Sequence, residues 1–167
     1  MTDQRHLTAP AQVPAGEPAA RLAELGLTLP AAAAPLGAYV PAVRSGTQVY
    51  VSGQLPLADG ALLATGKVGA EVSPEQAREL AARCALNALA ALEALVGLDQ
   101  VVRVVRLTGY VASAPGFTGQ PGVLNGASDL FFAVFGEAGR HARSAVGVSE
   151  LPLGAPVEVE VIVEVSG

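Results

Sequence analysis

The stretch "HARSAVGVSELPLGAPVEVEVIVEV", residues 141–165, joins two apolar runs through a Pro/Gly turn. Arg143 heads one run, and Glu158, Glu160 and Glu164 alternate along the other. A guanidinium presents a planar fork that matches a carboxylate bidentately, which a lysine ammonium does not. A positioned carboxylate can in turn take a proton from water as a general base. Tyr39, Ser52 and Asn125 complete the polar side chains whose types could do chemistry. Each also has an everyday reading. Arg143 could be a solvated or ion-paired strand residue, and Glu158 the outward half of an alternating strand. Tyr39 and Ser52 could be ordinary strand positions, and Asn125 a residue at a helix start.

Other chemistries lack their residues. "GALLATGKV" (60–68) has one residue too many between its glycines for a phosphate loop, and ends on valine where Mg²⁺ would need Ser or Thr. There is no G-x-G-x-x-G, no G-x-S-x-G, and no Cys pair for zinc. His6 and His141 are the only histidines, too few for a His-rich metal site. Neither a cofactor nor a metal is expected. The net charge of −5 and the single lysine, Lys67, leave no basic stripe, so no nucleic-acid partner is expected either.

With 167 residues, 51% of them hydrophobic, the chain reads as one domain with a substantial core, 17–167, behind a flexible tail, 1–16. The lone cysteine, Cys84, fits a reducing compartment. No apolar run approaches the ~20 residues that span a bilayer. The polar, proline-containing N-terminus does not resemble a signal peptide, and the expectation is a soluble cytoplasmic protein.

Several elements must position those side chains. "EPAARLAELGL" (17–27) suits a short helix, followed by a linker, 30–37, with two prolines. "AYVPAVRSGTQVYVSGQLPL" predicts two strands around the turn Arg44-Ser45-Gly46, and 58–72 a looser segment with a short edge strand. "SPEQ" from Ser73 places an N-cap serine, a proline at the first helical position and a glutamine three residues on. Apolar residues follow at 77, 80, 81, 84, 88, 91, 92 and 95, one buried helical stripe that stops at Gly97. On that stripe Cys84 reads as a small hydrophobe, not a nucleophile. Residues 99–113 form a β-branched strand, 113–122 a Gly/Pro loop, and 122–135 a second helix. The last two runs read as a hairpin. Two helices stacked on one face of a mixed sheet give a two-layer α+β domain. In the last strand Val157, Val159, Val161 and Val163 face one way, and Glu158, Glu160, Ile162 and Glu164 the other. The face left uncovered predicts a homo-oligomer.

Three segments resemble the RidA (YjgF) family. "RSAVGVSELPLGAPVEVEVIV" is similar to its C-terminal signature, "LGAYVPAVRSGTQVYVSGQLPL" to its N-terminal hairpin, and "VLNGASDLFF" to its second-helix pattern. The likeness runs in order from about 36 to 165, and the extended N-terminus suggests a subgroup. The resemblance implies a chorismate-mutase-like fold and a homotrimer with sites in the clefts between subunits. It further implies cofactor-free hydrolytic deamination of enamine/imine intermediates, 2-imino acids, to 2-keto acids and ammonia. By the same resemblance Arg143 binds the substrate carboxylate and Glu158 positions the hydrolytic water. Tyr39, Ser52 and Asn125 would line the pocket. Ala145 stands where many members carry a cysteine, which bears on which substrate is preferred.

A simple hairpin register through Pro152–Gly154 pairs 147 with 158 and 143 with 162. Arg143 and Glu158 would then lie about four rows, roughly 13 Å, apart along the strand. That spacing favours a site between subunits. Two other classes stay open: a non-catalytic protein that binds a small carboxylate metabolite, and an endoribonuclease or translation inhibitor, an activity linked to some relatives. Glu158 and Glu160 could also do no more than pair with Arg103 or Arg106.

Overall fold

The computed structural model describes residues 13–32 and 37–167. Most of the expected tail, 1–16, and half of the linker, 30–37, lie outside them. Where the tail is described, Val13 is buried and the Gly16 amide donates to the Asp99 carboxylate at 2.8 Å.

Ser73 caps a long helix as its spacing predicts: its hydroxyl accepts from the Gln76 amide at 3.1 Å. This helix, α2 (Pro74–Leu95), follows a short α1 (Glu17–Glu24). All positions of the expected stripe are buried except Leu95. The second long helix, α3, spans Gln120–Phe135 and starts two residues earlier than expected, with Pro121 in its first turn.

The strands are β1 (Ala42–Ser45), β2 (Gln48–Gln54), β3 (Leu57–Ala58), β4 (Ala61–Leu62), β5 (Val101–Ala112), β6 (Ala142–Val148) and β7 (Val157–Val165). β1 and β2 pair antiparallel, but β1 runs through Ser45, so the turn is Gly46-Thr47. The looser segment forms a separate two-stranded ribbon, β3-β4.

The five long strands form one mixed sheet in the order β1-β2-β7-β5-β6. This corrects the expected final hairpin. β6 pairs parallel with β5 across the α3 crossover, while β7 runs antiparallel between β2 and β5. The reason lies in the side chains of β7. Val157, Val159, Val161, Val163 and Val165 are all buried, and a central strand covers that row while pairing both of its backbone edges. As a hairpin partner at the edge it would leave one edge unpaired. β6, largely exposed or half-buried, takes the edge instead.

α2 and α3 pack on the valine face, and α1 rests against α3. Close approach is set by glycine. A Cβ at Gly109 of β5 would strike the Leu124 side chain of α3. One at Gly126 of α3 would strike the backbone carbonyl of Arg78 on α2. Within the helix layer α2 and α3 therefore cross with backbone nearly touching backbone, and α3 lies close over β5.

Candidate functional site

Arg143 sits on β6 opposite Leu107 of β5, which in turn faces Val161 of β7. Alternation puts all three on the helix side of the sheet. From there the Arg143 side chain reaches α3, where Asn125 and Ser128 share one face at i and i+3 spacing. Its Nη1 donates to Asn125 Oδ1 at 2.8 Å and to Ser128 Oγ at 3.1 Å. An open cleft of ≈ 360 Å³ adjoins the guanidinium, lined by Ser128, Phe132, Arg140, His141 and Arg143 among others. Arg140 stacks over the Phe132 ring at 4.9 Å and pairs with Glu137 at 2.8 Å. Ala145, two residues on, packs half-buried against the core.

Glu158 lies elsewhere. It pairs across the sheet with Tyr110, which pairs with Val146, and this row faces away from the helices. β2 bulges between Val51 and Gln54, so Ser52 and Gly53 sit beside this part of β7. The Glu158 carboxyl lies over Gly53, where any Cβ would collide with it. The Ser52 hydroxyl donates to the Val40 carbonyl at 2.7 Å, and its amide to the Pro41 carbonyl at 2.9 Å. These bonds tie the segment of exposed Tyr39 to the same side. Burial first, then the neighbouring Glu160 carboxylate, pushes the Glu158 carboxyl above its ordinary range. Such a carboxylate is a stronger base than an exposed one.

The alternative in which Glu158 and Glu160 only pair with Arg103 or Arg106 is not what the structure shows. Glu160 accepts from the Tyr110 hydroxyl at 3.0 Å, and burial together with this bond pushes the Tyr110 hydroxyl up. Arg103 pairs with Glu164 at 2.9 Å, and Arg106 donates to Ser144 at 3.0 Å.

The five sequence-derived residues thus fall into two groups. Arg143 and Asn125 meet over α3; Glu158, Ser52 and the Tyr39 segment gather on the opposite sheet face. The hairpin register that separated Arg143 from Glu158 along a strand does not exist. Within one chain they are instead separated by the sheet itself. Sequence reading missed Ser128 and His141. The i, i+3 step from Asn125 pointed to the first, and the i, i+2 alternation with Arg143 to the second. Cys84, as expected, is a core residue: fully buried, its thiol pushed up by burial and facing the Val157 carbonyl at 3.7 Å. No helix among the described residues is long and apolar enough to cross a membrane.

A five-stranded mixed sheet with α2 and α3 on one face and two polar half-sites at its margins defines a small α+β protein of the YjgF/chorismate-mutase-like fold. The family described as "YjgF/chorismate_mutase-like, putative endoribonuclease" matches residues 19–165. The chain belongs to this YjgF/RidA family. Protein TCP17 of Trypanosoma cruzi is 51% identical over 156 residues, covering 92% of this chain and 98% of that protein. A RutC family protein of Pasteurella multocida is 31% identical, covering 78% of this chain and 90% of its own length. Among solved structures, a protein of unknown function from Agrobacterium tumefaciens shares 46% identity at a TM-score of 0.82, covering 89% of this chain and 92% of its own. A "putative endoribonuclease" of Shewanella oneidensis shares 36% at 0.85, covering 89% and 99%. RidA of an Antarctic Psychrobacter shares 31% at only 0.57, covering 80% of this chain and 94% of its own.

Proposed function

We propose that this chain is a cofactor-independent, cytoplasmic deaminase that hydrolyses small 2-imino acids to 2-keto acids and ammonia. Its sites lie in clefts between the subunits of a homotrimer. One observation carries the reading: an arginine fork and a half-buried carboxylate sit on opposite faces of one sheet, so one small substrate meets both only where two copies meet. Arg143 of one copy grips the substrate carboxylate and fixes the plane of the adjacent C=N bond. Glu158 of the next takes a proton from water as the oxygen adds to the imine carbon. The C–N bond of the resulting carbinolamine then breaks, the nitrogen takes up protons and leaves as ammonia, and the C=O of the keto acid forms. Imines already hydrolyse in water, so positioning together with ~10²–10⁴-fold from the base is enough. Ser52, Tyr39 and Asn125 border the two halves.

The test measures ammonia release from iminopropionate or iminobutanoate generated in situ. Arg143→Ala and Glu158→Gln should each be inactive, and refolding the two together should restore roughly a quarter of the clefts if copies mix randomly. An unchanged rate in Arg143→Ala ends the proposal, and no recovery on mixing ends the shared cleft. Stoichiometric carboxylate binding without ammonia release would mark a binding protein instead. Several relatives carry endoribonuclease names, so the same samples are offered RNA; salt-sensitive cleavage would favour that activity, which a chain of net charge −5 is poorly built to support.

A further inference from the structure

Behind Arg143 stands a short hydrogen-bond chain with a fixed direction. His141 Nδ1 lies 2.7 Å from the Gly139 carbonyl oxygen, which can only accept, so Nδ1 carries a proton. Burial, helped by the Arg143 charge, holds the imidazole below its ordinary pKa against the upward pull of the Gly139 hydrogen bond; in the neutral ring that this favours at neutral pH, Nε2 bears a lone pair. Nε2 lies 3.0 Å from Ser128 Oγ, so the Ser128 hydroxyl donates to the ring. This turns the lone pairs of Oγ towards Arg143 Nη1 at 3.1 Å. The second Nη1 proton goes to Asn125 Oδ1. Both hydrogens of Nη1 are thus committed, and among the described residues Nε and Nη2 have no recorded partner. The Nε/Nη2 edge is one of the two on which a guanidinium takes a carboxylate bidentately.

We propose that His141 and Ser128 are positioning residues that pin Nη1 of Arg143 and so present its Nε/Nη2 edge to a substrate carboxylate. This rests on reading Arg143 as the carboxylate clamp. His141 touches no substrate: it aligns Ser128, and Ser128 aligns the arginine. With the brace cut, the guanidinium keeps its charge but regains rotation about its long side chain, so the loss falls on grip more than on the chemical step. The phenyl ring of Phe131 meets His141 edge-on, with centroids 6.2 Å apart, and holds the imidazole in this orientation.

The experiment reads Ser128→Ala, His141→Ala and His141→Gln in the full chain. It combines calorimetric binding of a non-reacting 2-keto acid with KM and kcat for ammonia release. Each alanine variant should weaken keto-acid binding about tenfold and raise KM alike, the effect of one charge-assisted hydrogen bond, while kcat changes by less than about threefold. The Gln variant, whose amide oxygen can accept from Ser128, should recover most of the binding. Unchanged binding in Ser128→Ala overturns the brace. Long-range ¹⁵N–¹H NMR of the wild-type protein gives an activity-free check: the His141 proton should sit on Nδ1 at neutral pH, and the Nε2–H tautomer overturns the proposal. Should the wild type bind keto acid but release no ammonia, the deaminase reading fails. The binding and NMR arms still decide the brace.

Discussion

Replacing Gly53 with alanine adds one methyl group and leaves every proposed chemical group in place. That methyl would sit 3.2 Å from Glu158 Cγ and 2.8 Å from Cδ, closer still to the carboxylate oxygen. Gly53 is not among the positive-φ glycines, so alanine meets no backbone strain there. The atoms in its way are the far end of a flexible side chain. Swinging Glu158 to another rotamer should cost about 0.5–1.5 kcal/mol. The lower chain entropy of alanine in the unfolded state returns about 0.4–1 kcal/mol. Stability should therefore change by less than about 1 kcal/mol. Activity has no such compensation. A carboxylate driven off its seat no longer holds water against the imine carbon, and kcat should fall about 10²-fold or more, towards the limit set by losing a general base. KM should stay within a few-fold, since Arg143 is untouched. The assay pairs urea unfolding with steady-state ammonia release over a range of imine concentrations. A Gly53→Ala protein that is folded, assembled and as fast as wild type would refute the view that the seat of Glu158 over Gly53 matters. A loss of several kcal/mol would refute the claim that only a side-chain end is displaced.

Three further outcomes are expected. Burial and Glu160 raise the folded-state pKa of Glu158 above its unfolded value, so this group stabilises the fold fully below about pH 4.5 and that contribution is lost as pH rises through the folded value. Glu158→Gln should thus melt higher than wild type at neutral pH, with the gap closing on acidification; a constant gap across the range would contradict the assignment. Gly126→Ala forces a methyl into the Arg78 carbonyl where α2 and α3 cross, and should cost about 1–3 kcal/mol by chemical denaturation, with a value near zero refuting the backbone contact. Cys84, wholly buried and with its thiol held protonated, should resist alkylation until the protein unfolds, and rapid labelling of the native state would contradict its place in the core.

Local signals were readable where one segment decides its own fate. Ser73-Pro74-Glu75-Gln76 starts α2 because the cap bond closes within one turn. The valine/glutamate alternation of β7 assigns its two faces for the same reason. The partner of β7 was not readable. A Pro/Gly turn between two extended runs looks the same whether the strands fold back on each other or diverge. The choice rests on the remote edges of β2 and β5, both of which β7 fills. The site divided likewise. Arg143 and Asn125 were singled out by residue type and then by the resemblance, and the structure joins them by a hydrogen bond, whereas Ser128 and His141 carried only a spacing signal in sequence. They acquire a role only when the crossover sets α3 beside β6.

The sheet that keeps Arg143 and Glu158 apart also separates folding from competence. If the cleft is shared as proposed, a lone copy would keep every valine of β7 buried and still be chemically blank. In the closed ring proposed above, each copy would lend its cation to one crevice and its anion to the next, so a member lacking both would silence two. Harm from such a chain would spread to its healthy companions, and dilution alone would switch the molecule off without unfolding it.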